Sequence, residues 1–243
     1  MTAVVVGGSS GLGRALCAEL AARGRDLVVV ASREEDCRRL ADHLRLLHGV
    51  DVTSCAIDAR NPAAFRDALL RALDGVASVD DLFLPMGLAF DNDQIGMADR
   101  TIEDLWRINY AAVVLALEAV LPRMAEKHTR IVGFGSIAAV RIRNRNVQYS
   151  AAKAALAAYF SGLRQALVAQ PQVAQFYVVG YIDSGQSFGK TRLFPPMSAQ
   201  RAARRVLNDG DHDFGERFLP RYWTLVALAL RLLPWRVFSR LDL

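Results

Sequence analysis

The sequence predicts an α/β fold in which a doubly wound, parallel sheet carries helices on both faces. Short runs rich in Val and Ile alternate with longer helical patterns, which is typical of repeated β-α-β units. These runs are mostly apolar, as strands are when both faces of a sheet are covered. The 243 residues contain no internal repeat and no Gly/Ser-rich linker, so a single domain over residues 1–243 is expected.

The predicted elements follow one another in a regular order. Strands are predicted at residues 3–6, 27–31, 51–57, 82–84, 130–135, 173–179 and 214–219. Helices are predicted between them, at residues 12–23, 34–48, 62–73, 101–127, 147–169 and 199–207. Asn61 and Pro62 are residue types preferred at a helix N-cap and at the first helical position, and Pro85 is typical of a strand end.

Composition excludes several classes of protein. Apolar residues make up 52% of the chain, which is too many for a disordered segment, and no Gly-x-y period indicates a fibre. No run of about 18 uncharged apolar residues occurs, so we expect no membrane span. The first strand begins at once, so we expect no signal peptide. Three cysteines without metal-ligand spacing predict no metal site and a reducing, cytoplasmic location.

The net charge of +5 makes nucleic acid a partner to consider. The basic residues are scattered along the chain, and no basic stripe with interleaved aromatic residues accompanies them. We therefore expect no nucleic-acid partner.

A glycine-rich turn follows the first predicted strand and leads into the first predicted helix. Its G-x-x-x-G-x-G spacing allows a tight turn, close approach of the backbone to a pyrophosphate, and close packing of helix on strand. The helix N-terminus adds N–H donors and partial positive charge. The residues predicted to bind a dinucleotide here are Gly7, Ser9, Ser10, Gly11, Leu12 and Gly13.

The end of the second strand indicates which dinucleotide is bound. A site for NAD uses a carboxylate there to accept from the ribose 2′-hydroxyl, whereas this chain has Ser32 and Arg33. A hydroxyl and a guanidinium suit a 2′-phosphate, so NADP(H) is predicted in preference to NAD(H). Asp58, after the third strand, is either an acceptor for the adenine amino group or a helix cap.

Four polar residues form the candidate catalytic set. Tyr149 and Lys153 lie one helical turn apart, so both project from one face of a helix. The ammonium of Lys153 is expected to lower the pKa of Tyr149 and make it a proton donor near neutral pH. Ser136 ends the fifth strand, at the edge where open α/β sheets bind ligands. Asn109 is a polar residue within an apolar helix.

With these motifs in this order, the sequence resembles the short-chain dehydrogenases/reductases over nearly its whole length. The resemblance implies a Rossmann-like form of the doubly wound sheet. It implies that Tyr149 is the general acid/base and that Ser136 orients the substrate oxygen. It further implies that Lys153 binds the nicotinamide ribose and tunes Tyr149, while Asn109 holds a water in a proton relay. Matching positions add Gly87, Ile182 and Ser184, as well as Tyr149 and Lys153, to the cofactor contacts.

Three stretches depart from the pattern of that family. Val6 stands where the family has Thr, and residues 84–87 read Leu-Pro-Met-Gly instead of Asn-Asn-Ala-Gly. After the sixth predicted strand, Val-Gly replaces Pro-Gly at residues 179–180. The first two changes remove side-chain hydrogen bonds near the cofactor, and they support one alternative, a non-catalytic dinucleotide-binding protein.

Arg141, Arg143 and Arg145 lie between the predicted catalytic serine and tyrosine, where most of the family has small neutral residues. Together with Ile108-Asn109-Tyr110 and the C-terminus, this segment resembles one branch of the family, the decaprenylphosphoryl-2-keto-ribose reductases and related sugar-processing enzymes. That resemblance implies a ketose joined through phosphate to a polyprenyl lipid, and arginines suit a phosphate diester. The alternatives are a solvated or subunit-contact arginine cluster, and a general lipid or 3-ketoacyl reductase.

Two further segments have predicted roles. Residues 184–197 are expected to form a substrate lid, and residues 220–243 a C-terminal apolar helical extension. The apolar run at residues 222–230 is too short to span a bilayer, and the arginines and tryptophans of the extension are typical of peripheral membrane contact. Packing over the substrate pocket or at a dimer seam explains it as well. Small residues at 151–158 suit close helix packing within the subunit or in a homodimer or homotetramer.

The sequence therefore predicts a cytoplasmic, oligomeric, NADP-dependent oxidoreductase. It reduces a ketone to an alcohol, or catalyses the reverse reaction, and its substrate is a small-molecule or lipid-linked carbonyl compound.

Overall fold

Parallel strands form the centre of the computed structural model, which describes residues 1–90, 93–125, 129–183 and 194–240. The strands are β1 (Thr2–Val6), β2 (Asp26–Ala31), β3 (Val52–Ala56), β4 (Asp81–Leu84), β5 (Thr129–Ser136), β6 (Gln172–Val179), β7 (Ile182–Asp183), β8 (Met197–Ser198) and β9 (Glu216–Leu219). The main sheet has the order β3-β2-β1-β4-β5-β6-β9, and β7 and β8 form a separate short pair. The predicted doubly wound parallel sheet in a single domain is confirmed.

Helices cover both faces of this sheet. They are α1 (Gly11–Ala21), α2 (Glu34–His48), α3 (Pro62–Ala72), α4 (Asp99–Trp106), α5 (Ala112–Val120), α6 (Val147–Ala166), α7 (Ala199–Asn208), α8 (Trp223–Leu232) and α9 (Trp235–Phe238). Side chains alternate along β1, so Val4 and Val6 pack in one core with α3, α5 and α6. Ala3 and Val5 pack in the other core with α1, α2 and α7.

The helix predicted at residues 101–127 is interrupted in the structure. α4 passes into a π-helical turn at Arg107–Ala111, and α5 ends in a 3-10 turn at Leu121–Arg123. A π turn inserts one residue into a helix and occurs frequently at functional sites. This turn contains Asn109, and residues 126–128 lie outside the described residues.

The helical segment Asp99–Arg123 is long and apolar enough to cross a membrane, with a mean hydropathy of 1.3. It packs against α3 and α6, however, so it is a core segment of the α/β fold. Length and composition alone therefore give weak evidence for a span.

The C-terminal extension consists of α8 and α9, and residues 241–243 lie outside the described residues. α8 buries Trp223 and Ala227 against the core. Its opposite face leaves Leu225, Leu228 and Leu232 more than half exposed. The extension is therefore attached to the domain by one face and presents an apolar stripe on the other.

The order of the strands sets the place of the site. β1 and β4 are neighbours in the sheet, and the strand order reverses at this junction. Connections on either side of such a point diverge, which opens a crevice at the carboxyl ends of the strands.

Candidate active site

A cleft of about 950 Å³ lies at the carboxyl ends of the strands. Its walls are the β1–α1 turn, the ends of β2, β3 and β5, the loop after β4, and the start of α6. The predicted cofactor-binding and catalytic residues that line it are Gly7, Ser9, Ser10, Gly11, Leu12, Gly13, Ser32, Asp58, Gly87, Ser136, Tyr149, Lys153 and Ile182.

The glycine turn is packed so tightly that side chains do not fit at two of its positions. Gly7 has a φ of +96°, and a Cβ there would lie 2.8 Å from the Cα of Met86. A Cβ on Gly13 would lie 2.0 Å from the carbonyl oxygen of Gly7. The first turn of α1 therefore packs directly on the loop, and a ligand can approach the loop backbone closely.

The N-terminus of α1 suits an anion. Ser10 is the N-cap residue, but among the described residues its side chain makes no capping hydrogen bond, and the first turn has no acidic residue. Helix N–H groups and the partial positive charge at this end favour phosphate. The turn and the helix end therefore fit the pyrophosphate of a dinucleotide.

Ser32 and Arg33 lie at the side of this cleft. Ser32 is part of the lining, whereas Arg33 lies outside it with an exposed guanidinium whose Nε is 2.6 Å from Oδ2 of Asp36. Exposed ion pairs of this kind are weak, so an anionic ligand can replace Asp36 as the partner of Arg33.

Asp58 lines the cleft but does not cap α3. Its Oδ1 accepts the backbone N–H of Arg60 at 2.9 Å, while Asn61 accepts the N–H of Ala64 at 3.2 Å and is the cap. The helix-cap interpretation of Asp58 is therefore wrong, and the adenine contact stays a prediction. Arg60 also lines the cleft, and no sequence motif indicated it.

Ser136 and Tyr149 meet in the cleft. Ser136 is the last residue of β5, and its Oγ accepts the N–H of Ala138 at 3.2 Å. The hydroxyl of Tyr149, in the first turn of α6, is near enough to Ser136 for the serine side chain to influence its pKa. Burial raises the pKa of Tyr149, and the interaction with Ser136 partly offsets this rise.

Lys153 lies one turn further along α6 and is 4% exposed. Its Nζ donates to the carbonyl oxygens of Met86 at 3.2 Å and Phe134 at 3.1 Å. Burial lowers the pKa of Lys153 to about 8. The expected lowering of the Tyr149 pKa by Lys153 is not found, because loss of water disfavours the charged form of both groups.

Asn109 lies behind the cleft wall instead of within it. Its buried Nδ2 donates to the carbonyl oxygens of Leu88 at 2.8 Å and Leu105 at 2.9 Å. Its Oδ1 accepts the N–H of Leu88 at 3.1 Å, which ties the loop after β4 to the π turn. Gly87 is tightly packed between Asn109 and Lys153. A Cβ there would lie 3.1 Å from Oδ1 of Asn109 and 3.4 Å from Nζ of Lys153.

The three arginines after β5 have different positions. Arg143 and Arg145 line the cleft. Arg141 lies outside it, and its guanidinium donates to the carbonyl oxygens of Leu230 and Leu233 at the end of α8. The prediction that Arg141 contacts substrate does not agree with this position, because the side chain anchors the C-terminal extension.

The far side of the cleft includes Ile182, whose strand β7 pairs with β8 at Met197. Ser184 and most of the predicted lid, residues 184–193, lie outside the described residues. Ile108 and Tyr181 also line the cleft. The sequence analysis did not assign either residue to the site, because a single apolar or aromatic side chain does not indicate a contact with a ligand.

Asp93 is a further residue that the sequence did not indicate. It is fully buried, and its carboxylate accepts the backbone N–H groups of Gln148 and Tyr149 in the first turn of α6. It precedes α4 and is distant in sequence from the helix that it contacts. An isolated aspartate in such a loop gives no recognisable signal.

The fold and the cleft define a class of protein, an α/β dinucleotide-binding protein in which a glycine turn and a Ser-Tyr-Lys set share one cleft. A family model described as short chain dehydrogenase matches residues 1–184. The chain belongs to the short chain dehydrogenase family, as the resemblance predicted.

The chain is also similar in sequence or structure to individual proteins. An uncharacterized oxidoreductase of Mycobacterium tuberculosis is 28% identical, with 98% of this chain and 96% of the relative covered. A 3-oxoacyl-(acyl-carrier-protein) reductase of Escherichia coli is 27% identical, with 75% of this chain and 73% of the relative covered. A crystal structure of a blue fluorescent protein from a metagenomic library, in complex with NADPH, has a TM-score of 0.80 at 25% identity, with 88% and 94% covered. The similarity to the mycobacterial protein thus includes nearly all of the C-terminal extension.

Proposed function

We propose that the protein is an NADP-dependent oxidoreductase that reduces a ketone to an alcohol, or catalyses the reverse reaction. The observation that carries this proposal is the meeting of Ser136, Tyr149 and Lys153 in a cleft that begins at the glycine turn. Membership of the short chain dehydrogenase family supports it. A protein that only bound a dinucleotide would have no use for the hydroxyl pair, so catalysis is the better account.

Ser136 and Tyr149 act on the carbonyl oxygen of the substrate. Both side chains line the cleft and interact with each other, so a substrate oxygen placed beside the two hydroxyl groups accepts a hydrogen bond from each. Tyr149 then transfers its proton to this oxygen as the alcohol forms. When bound, NADPH supplies the hydride that reaches the carbonyl carbon. In the reverse direction, the Tyr149 oxygen receives the proton.

Lys153 would bind the nicotinamide ribose, which is the role that the family resemblance implies for this position. Its ammonium is held beside the cleft by two carbonyl oxygens, and a pKa of about 8 keeps it mostly protonated at neutral pH. Asn109 holds the loop wall in place through Leu88. The family's water-holding role for Asn109 stays a prediction.

NADP(H) is the proposed cofactor because the residues fit it at two points. The glycine turn and the start of α1 fit the pyrophosphate, and the end of β2 offers Ser32 and Arg33 without a carboxylate at either position. A similar solved structure contains NADPH.

The variant Arg33→Asp tests the choice of cofactor. Hydrogen bonds to charged groups contribute about 1.5–3 kcal/mol, so the ratio of kcat/KM for NADPH to that for NADH is expected to fall about 10-fold or more. Steady-state kinetics with both cofactors measure the ratio. An unchanged ratio would reject Arg33 as the group that selects the cofactor.

The proposed substrate is a ketose carried on a lipid phosphate. Arg143 and Arg145 line the same cleft as Tyr149, and guanidinium groups bind phosphate through charge-assisted hydrogen bonds. The second candidate is a 3-oxoacyl compound, which the similarity to the E. coli reductase favours.

Arginine variants distinguish the two substrates. Arg143→Ala and Arg145→Ala are each expected to lower kcat/KM about 10-fold or more for a lipid-phosphoryl 2-keto-pentose, because a charged hydrogen bond is lost. The same variants are expected to change kcat/KM for a small neutral ketone less than about twofold. Arg66→Ala is the control, since it removes an exposed arginine that lies outside the cleft. Equal losses on both substrates would favour the acyl compound.

We propose that the protein is a cytoplasmic homodimer or homotetramer. We also propose that α8 makes a peripheral contact with lipid. Residues 220–240 contain four arginines and no acidic residue, beside the exposed leucines of α8. Anionic lipid complements this charge, whereas a symmetric subunit contact through α8 would bring two positive segments together. Cosedimentation with anionic vesicles tests the contact, with the variant L225S/L228S/L232S as control. Wild-type protein that stays in the supernatant would refute it.

A further inference from the structure

Asp93 supplies the hydrogen-bond acceptors for the start of the helix that carries Tyr149 and Lys153. Its Oδ1 accepts the N–H of Gln148 at 2.9 Å and its Oδ2 accepts the N–H of Tyr149 at 2.7 Å. Its backbone oxygen accepts the N–H of Val147 at 3.3 Å. Residue 93 thus satisfies the N–H groups of the first three residues of α6.

α6 has no local substitute for this contact. Its N-cap residue, Asn146, makes no side-chain capping bond among the described residues, and the first turn of α6 contains no acidic residue. A helix N-terminus carries unsatisfied N–H groups and partial positive charge. The buried carboxylate of Asp93, from another part of the chain, therefore accepts hydrogen bonds from these N–H groups and places a negative charge at this helix end.

The contact joins two walls of the cleft. The segment that leads to Asp93 starts at β4 and includes residues 85–90, all of which line the cleft. Asn109 holds this segment at Leu88, and Asp93 holds its far end against α6. The first turn of α6 is thereby fixed relative to the rest of the site.

We propose that Asp93 is a positioning residue for Tyr149. It acts through the backbone N–H of Tyr149 itself and fixes the direction in which the phenol leaves the helix toward Ser136. Lys153 has its own anchors at Met86 and Phe134, so the Asp93 contact chiefly controls the tyrosine. This inference rests on the proposed reductase function for its kinetic consequences, but the capping contact itself does not depend on it.

Loss of this contact has a predictable effect. Asp93→Ala leaves two partly buried N–H groups without their acceptors, which favours fraying of the first turn of α6. A displacement of about 1 Å at a reacting group reduces rates on the order of 100-fold. We expect kcat to fall between 10-fold and 100-fold in Asp93→Ala, while KM and the Kd for NADPH change less than about threefold. Asp93→Asn keeps one acceptor oxygen and is expected to retain more activity than Asp93→Ala.

The matched control is Asn61→Ala, which removes the side-chain cap of α3. Asn61 lies outside the catalytic set, so its loss is expected to affect stability with kcat unchanged. If Asp93→Ala, folded by circular dichroism, keeps kcat within about twofold of wild type, or loses no more than Asn61→Ala, the positioning role is overturned. A loss confined to KM or to NADPH affinity overturns it as well.

Hydrogen exchange measured by mass spectrometry tests the contact without any substrate. Asp93→Ala is expected to speed amide exchange about 10-fold or more in a peptide that covers residues 147–150, but not in later turns of α6. Unchanged exchange in that peptide would overturn the inference even if turnover is found. Absence of turnover in wild type would instead refute the proposed function, and the exchange result would still decide the role of Asp93 as an anchor of α6.

Discussion

Burial shifts the pKa values of Lys153 and Tyr149 in opposite directions. The ammonium of Lys153 loses water and gains only carbonyl oxygens as partners, which lowers its pKa to about 8. The same loss of water raises the pKa of Tyr149. The phenol therefore carries its proton before substrate binds, as a proton donor to a ketone must.

The free energy of unfolding is expected to depend on pH because the pKa of Lys153 is lowered in the folded protein. The lysine pKa is 10.5 in the reference state and about 8 in the folded protein, so the unfolded chain binds more protons between these values. The free energy of unfolding therefore rises with pH across this window. We expect wild type to gain about 1–2 kcal/mol relative to Lys153→Met between about pH 7.5 and pH 9.5. Urea unfolding at both pH values measures the gain, and a flat or falling difference would contradict the burial of the charge.

Single residues were predictable where they belong to a motif. Ser136, Tyr149 and Lys153 stand at fixed places relative to a strand end and a helix, so their convergence followed from the sequence. Asp93 and Arg141 have roles that depend on contacts across the fold. No spacing in the sequence indicates which helix end each one meets.

Elements are joined at the opposite edge of the sheet by a buried ion-pair network. Nε of Arg130 in β5 is 2.7 Å from Oδ1 of Asp81 in β4, and Nη2 of Arg25 is 2.8 Å from Oδ2 of Asp81. Arg130 also donates to the carbonyl oxygen of Gly210, just after α7, at 2.9 Å. The network holds β4, β5 and α7 together below the site.

Removal of Asp81 is expected to destabilise the protein strongly. Asp81→Ala leaves Arg130 buried without its counterion, which costs about 3–5 kcal/mol. The exposed pair between Arg66 and Asp67 is the control, and Asp67→Ala is expected to change stability little. Chemical denaturation measures both variants. Equal effects would show that burial of the Asp81 pair has no energetic consequence.

The order of elements was predictable because it depends on hydrophobic pattern, glycine turns and prolines. The π turn at Arg107–Ala111 was not, because one inserted residue leaves no mark in an apolar helix. The split of the C-terminal extension into α8 and α9 follows from Pro234, which is the N-cap of α9. The attachment of α8 through Trp223 and Arg141 depends on tertiary contacts.

The whole molecule brings distant segments to one edge of the sheet. The glycine turn, the loop after β4, the end of β5 and the start of α6 share the cleft because all follow carboxyl ends of parallel strands. The fold class and the place of the cleft could therefore be predicted from the sequence. The substrate could not, since it depends on how the walls of the cleft are shaped and charged.

NADPH oxidation by purified wild type and Tyr149→Phe tests the central claim most directly. The assay uses a lipid-phosphoryl 2-keto-pentose and a set of small and acyl ketones, with NADPH binding measured separately. Wild type is expected to turn over at least one of these ketones. Tyr149→Phe is expected to lose about 100-fold or more in kcat, because the proton donor is absent, while its Kd for NADPH stays within about twofold. Full turnover by Tyr149→Phe, or NADPH binding by wild type with no ketone reduced, would contradict the account.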